Sequence, residues 1–253
     1  ARASTWPWSS LAGYPCMSYN NDEGIGDNHY NCPVVAYYPE LLAANVPSLK
    51  TTRFLTPYVG LWRRKDFEKR AVKLMEEEFS IPCRETRNAV HNAYSEYQSY
   101  LWDVRTMGEQ YIEYAREHGL PIVVVCGRPY HIDPEINHGI DELLTSFGFV
   151  VLTEDALSAR EGYAPRKVLN QWTFQSRMYN AARYVCTQPD MQVVQLVSFG
   201  CGTDAITTDE MRSILEDGGK LYTQLKIDDI SNLGAVKIRV RSLMAAMEER
   251  ARR

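Results

Sequence analysis

From residue 121 onward the chain alternates short apolar runs with longer stretches of helical period. PIVVVCG, FVVLTED and MQVVQLVSF are strand-sized and rich in β-branched residues. Between the first two, DPEINHGIDELLTSFG opens at Asp133-Pro134, an N-cap residue followed by proline. Residues 166–184 carry a helical pattern, and TTDEMRSILEDGG reads as a helix beginning near Thr207, with a threonine cap and early acids. A last helix is expected from Asn232 to Arg252, after the turn-like KIDDIS. Strands alternating with helices predict parallel βαβ units, so the expected class is α/β, a Rossmann-like three-layer arrangement.

The first half is less regular. Residues 13–32 read as loop, PVVAYY (33–38) as a short strand, and PELLAAN (39–45) as a helix with proline at its first position. KDFEKRAVKLMEEEFS opens a helix. A much longer one is expected from Glu85 to His118, stopped by Gly119. Its Tyr94, Tyr97, Leu101, Val104, Tyr111 and Tyr114 recur at three- and four-residue spacing, a packing stripe. The expected organisation is one domain, or two small lobes with the long helix between them. Residues 13–118 form a cysteine-loop and helical lobe, and residues 119–253 an α/β lobe. Residues 1–12 (ARASTWPWSSLA) are set apart as a tag remnant or a foreign or trimmed segment.

Composition narrows the function classes. The 253 residues are 45% hydrophobic and 24% charged, with 28 Lys and Arg against 32 Asp and Glu. A net charge of −4 without a basic block argues against nucleic acid or an anionic membrane surface as partner. No apolar run approaches the roughly 20 residues of a membrane helix. The six cysteines include no CxxC pair, so reduced thiols in a cytoplasm are expected. GxGxxG after a strand, GxxxxGK[ST] and GxSxG are all absent, which removes the Rossmann dinucleotide, P-loop and serine-hydrolase signatures.

Two constellations could carry chemistry. Cys16 and Cys32 lie in adjoining loops, and Cys201 stands between Gly200 and Gly202 just past an inferred strand. Thiolates on loops with amide N–H groups nearby suit a metal–sulfur site, whereas three scattered cysteines are, on spacing alone, more often small apolar packing residues. The second is CGRPYHIDPEINHG at 126–139. It offers Cys126, Arg128, Tyr130, His131, Asp133, Asn137 and His138 on one strand-to-helix turn, to which Asp204 after the GCG corner is added. An arginine and imidazoles beside a helix N-terminus suit an anionic ligand or proton transfer. The plainer reading leaves Asp133 capping the helix while the other side chains satisfy loop backbone.

Residues 14–45 (YPCMSYN…NCPVVAYYPELLAAN), 122–155 (IVVVCGRPYHIDPEINHG…VLTED) and 195–247 (QLVSFGCGTDAITTDE…) together resemble one family. It is the uncharacterised domain attached to activators of 2-hydroxyacyl-CoA dehydratases. The resemblance implies partnership with ATP-hydrolysing activase modules and dehydratase-like subunits, acyl-CoA as a candidate ligand, and a [4Fe–4S] cluster in low-potential electron transfer. Carried onto the matching YPC, NCP and FGCG positions, its cluster ligands are Cys16, Cys32 and Cys201. The family's further cysteine in a C-F-P stretch has no counterpart here. Three readings therefore stand: an iron–sulfur redox domain of an activation system, a non-redox ligand-binding or interaction module of the same large protein, and a hydrolase or transferase with Cys201 as nucleophile. The first is the leading one, and under it the chain is a component rather than a complete enzyme.

Overall fold

The computed structural model describes residues 11–162, 169–198, 200–227 and 233–252. They belong to two compact units, Ala1–Tyr97 with Gln171–Thr173, and Gln98–Asn170 with Phe174–Arg253. Every pairing between strands in both units is parallel.

The first unit begins with β1 (Leu11–Gly13) and β2 (Cys16–Tyr19), which pair with β3 (Arg53–Leu55) and β4 (Tyr58–Gly60) in two separate two-stranded sheets. Between them runs α1 (Pro33–Asn45), one continuous helix where a strand was expected over its first six residues. The β-branched Val34 and Val35 suggested extension, but proline at N1 is preset for a helix, and Cys32 O accepts Ala36 N–H at 3.0 Å. Ala36 and Pro39, three apart, are its buried residues, and the valines face outward. The loop after β2 is held by buried Asn20 and Asn31: the Asn20 amide donates to Asn31 Oδ1 at 3.2 Å, and Asn31 Nδ2 donates to Met17 O at 3.0 Å. Helix α2 (Arg64–Phe79) and the start of α3 (Cys83–Glu117) complete this unit.

The second unit is a three-layer α/β sandwich. Its sheet runs β6-β5-β7-β8, built from β5 (Ile122–Cys126), β6 (Val150–Thr153), β7 (Met191–Ser198) and β8 (Tyr222–Ile227). All five residues of β5 are buried, as a central parallel strand covered on both faces must be. Alternation along β5 then assigns the layers. Ile122, Val124 and Cys126 pack with the C-terminal part of α3, α6 (Thr173–Cys186) and α7 (Gly202–Asp217). Val123 and Val125 pack with α5 (Ile140–Ser146) and α8 (Gly234–Ala251) on the other face. The short α4 (Pro134–Asn137) lies between β5 and α5 in the chain.

The packing stripe of α3 is shifted from the expected one. Leu101, Val104, Ile112 and Ala115 meet the core, while Tyr111 and Tyr114 stay half exposed. At Gly108, on the same face, an added Cβ would sit 2.8 Å from that of Ala156, so only glycine permits this approach. The expected start of α6 at residue 166 and of α8 at Asn232 lie outside the described residues, as do Phe199 and much of KIDDIS. Among the described residues no helix is long and apolar enough to cross a membrane.

Candidate functional site

The chain visits β5, then β6 on one side, then β7 on the other, so the strand order reverses between β5 and β7. Loops leaving the carboxyl ends of two such strands diverge to opposite faces of the sheet and open a crevice between them. Arg128, Tyr130 and His131 follow β5 there; Ser198 ends β7, and Cys201 and Asp204 follow it.

A buried ion pair joins the two loops. The Arg128 guanidinium holds Oδ1 of Asp204, and both side chains are about nine-tenths buried (9% and 8% exposed). The second carboxylate oxygen, Oδ2, accepts the Ser198 backbone N–H at 2.9 Å. Arg128 Nη1 also donates to Cys201 Sγ at 3.0 Å, and Thr203 Oγ1 lies 3.0 Å from the same sulfur. Arg128 Nε is buried and has no hydrogen-bond partner among the described residues. Helix α7 begins five residues earlier than expected, because Cys201 itself is the N-cap residue, preceded by Gly200 at a left-handed φ of 71°. The thiol therefore sits at the positive end of a 16-residue helix.

His131 is buried and fixed at both ring nitrogens. Its Nδ1 accepts the Arg128 backbone N–H at 3.0 Å, leaving Nε2–H to donate to Ser198 Oγ at 3.0 Å. Burial and then the Arg128 charge lower its pKa to about 4, so the ring is neutral near pH 7 and works as a donor, not as a base toward Ser198. The Tyr130 hydroxyl is 3.1 Å from Ser198 Oγ, and its ring stands edge-on to His131. The turn tolerates this only because residue 127 is glycine: a Cβ there would lie 2.5 Å from His131 Nδ1.

The remaining expected residues divide by role. Asp133 caps α4, accepting Glu135 N–H at 2.9 Å. Asn137 is buried and accepts Ile140 N–H at 2.6 Å, a structural cap for α5. His138 is exposed in a left-handed turn at φ 55°. Cys126 is fully buried, and desolvation, followed by the charges of Glu154 and Asp155, pushes its thiol well up. Cys16 starts β2, buried, its thiol raised by desolvation and by Glu40; Cys32 is the N-cap of α1.

Two residues were missed. Ser198, the hub between His131 and Tyr130, carries no signal beyond standing last in its strand. Glu154 belongs to a stretch that reads as an ordinary strand end, yet it is buried and accepts the Gly127 N–H at 3.4 Å. Burial, then Asp155, raises its pKa to about 8.

Within each unit, among the described residues, no group of three His, Cys, Asp or Glu side chains is placed to hold a metal ion. Cys16 and Cys32 belong to the first unit and Cys201 to the second, so neither unit alone supplies the ligands of an iron–sulfur cluster.

The second unit is thus a parallel α/β sandwich whose polar side chains from two loops meet where the strand order reverses. The model of the CoA enzyme activase uncharacterised domain matches residues 13–157, more than half of the chain, and the chain belongs to that family. The match takes in the Arg128 loop and Glu154 but ends before Ser198, Cys201 and Asp204. No curated protein matches the chain.

The pH dependence of stability follows from Glu154. Its folded pKa of about 8 exceeds its ordinary 4.5, so between those values the folded state keeps a proton that the unfolded chain has released. The stability it contributes is full below the lower value and is lost as pH rises through the upper. Glu154→Gln removes this dependence. Denaturant titrations should show the variant gaining on wild type by up to about 1.4 kcal/mol per pH unit across that window. A constant gap would mean that Glu154 ionises normally.

Proposed function

We propose that this chain is a ligand-binding component of a CoA-dependent activation system, and that its second unit holds an anionic or oxygen-rich ligand group in the crevice between β5 and β7. The observation that carries this reading is the convergence of Arg128, Tyr130, Ser198, Cys201 and Asp204 where the strand order reverses. The first N–H groups of α7 supply donors, and the neutral His131 holds Ser198 and Tyr130 in place. Family membership supports coenzyme A or an acyl-CoA as the ligand, and activase ATPase modules with dehydratase-like subunits as partners in a cytoplasm. Coenzyme A titrated onto the full chain should bind saturably and protect Cys201 from iodoacetamide, and Arg128→Met should weaken binding roughly tenfold or more. Absence of both binding and protection would remove this reading.

A second reading rests on the two helix starts. Cys32 and Cys201 are both N-cap residues, at the first turns of α1 and α7. In this proposal a [4Fe–4S] cluster takes Cys16, Cys32 and Cys201, and the chain is a redox domain passing low-potential electrons. Such a cluster would supply one-electron transfer, and it needs sulfurs from both units. Anaerobically purified protein would then contain about four irons and four sulfides per chain, lost in Cys201→Ser. Iron-free protein after anaerobic reconstitution would exclude it.

A further inference from the structure

We propose that the first unit carries a separate site for an amphiphile, an aliphatic chain ending in an anionic head group. Helix α2 presents Phe67, Ala71, Leu74, Met75 and Phe79 along one face, yet none of its residues is buried. In a helix with this spacing the apolar face ordinarily disappears into a core. Here it walls a cavity of about 410 Å³, closed on the other side by Met17, Leu55, Pro57 and Val59 from the two small sheets. Apart from Arg70 at its edge, every side chain lining it is apolar or aromatic. A second cavity of about 570 Å³ adjoins it and shares Val59, Phe67 and Arg70. Its other walls include Tyr19, Tyr58, Trp62, Arg63 and Asp66. Both volumes lie in the range of small-molecule sites, about 300 to 1,000 Å³.

The chemistry of the two cavities differs in a directed way. Arg70 and the Tyr14 hydroxyl aside, the first offers only apolar surface, which hydrocarbon fills without loss. The second is aromatic and carries two cations against one acid: Arg63 lies 4.0 Å over the Trp62 ring and 3.8 Å from Asp66, and Arg70 lines both cavities. Arg70 Nη1 donates to Tyr58 O at 2.8 Å, which fixes the guanidinium at that junction and leaves its other N–H groups for a ligand. A chain lying along α2 thus delivers its head to Arg70. A carboxylate and a phosphate both meet this requirement. The site shares no residue with the β5–β7 crevice, so it stands or falls independently of the function proposed there.

The test is displacement of anilinonaphthalene sulfonate from the full chain by straight-chain carboxylates of increasing length, by dodecyl phosphate and by dodecanol. Affinity for carboxylates should rise roughly fourfold per methylene until the cavity is filled, then level off. Arg70→Met, an exposed change that leaves the fold intact, should lower affinity for dodecanoate or dodecyl phosphate roughly fivefold and leave dodecanol unchanged. Whichever anion loses more identifies the natural head group. Ala71→Trp fills the cavity and should abolish the chain-length dependence while melting as wild type does. Affinity independent of chain length, or dodecanol binding as tightly as dodecanoate to the wild type, would overturn the proposal. So would dimerisation through α2 that dodecanoate fails to reverse.

Discussion

The Arg128–Asp204 pair is the interaction on which the second unit's crevice depends. Two charges at 9% and 8% side-chain exposure have given up most of their hydration, and their mutual attraction offsets that loss only while the geometry is kept. The pair therefore acts as a constraint. It fixes the loop after β5 against the first turn of α7, and through Oδ2 it also fixes the end of β7 at Ser198. The network of Ser198, His131 and Tyr130 inherits its geometry from that clamp. Cys201 is positioned by the same guanidinium, so the thiol, the hydroxyls and the helix N-terminus form one arrangement.

Much of this was legible because the second half of the chain encodes its structure locally. The runs IVVVC and MQVVQLVS sit buried on both faces in a parallel sheet, and the Asp133-Pro134 pair caps its helix as its chemistry demands. Arg128, Tyr130, His131, Cys201 and Asp204 could be singled out because polar residues clustered after apolar strands are rarely idle. Ser198 and Glu154 escaped notice for a physical reason. Their importance comes from partners 67 and 27 residues away, and no local pattern encodes such a contact.

The first unit was harder to read for the same cause. Among the described residues its four strands are three or four residues long and pair across long separations, as Leu11 with Arg53 and Cys16 with Tyr58. Strands this short carry no usable alternation. At 33–38 two valines suggest a strand, but Pro33 presets a helix start and Ala36 and Pro39 provide the face that packs, so the helix prevails. The family match covers residues 13–97 of this unit, and with them the whole of α2 and its open apolar face.

The central claim, that the Arg128–Asp204 clamp organises the crevice, is tested most directly by a double-mutant cycle in chemical denaturation. Arg128→Met and Asp204→Asn should each cost roughly 3 to 5 kcal/mol, because each leaves a buried partner unpaired. The double variant should lose far less than the sum, with a coupling of at least about 2 kcal/mol. Losses that add to within about 0.5 kcal/mol would show the two residues to be independent and would contradict the account.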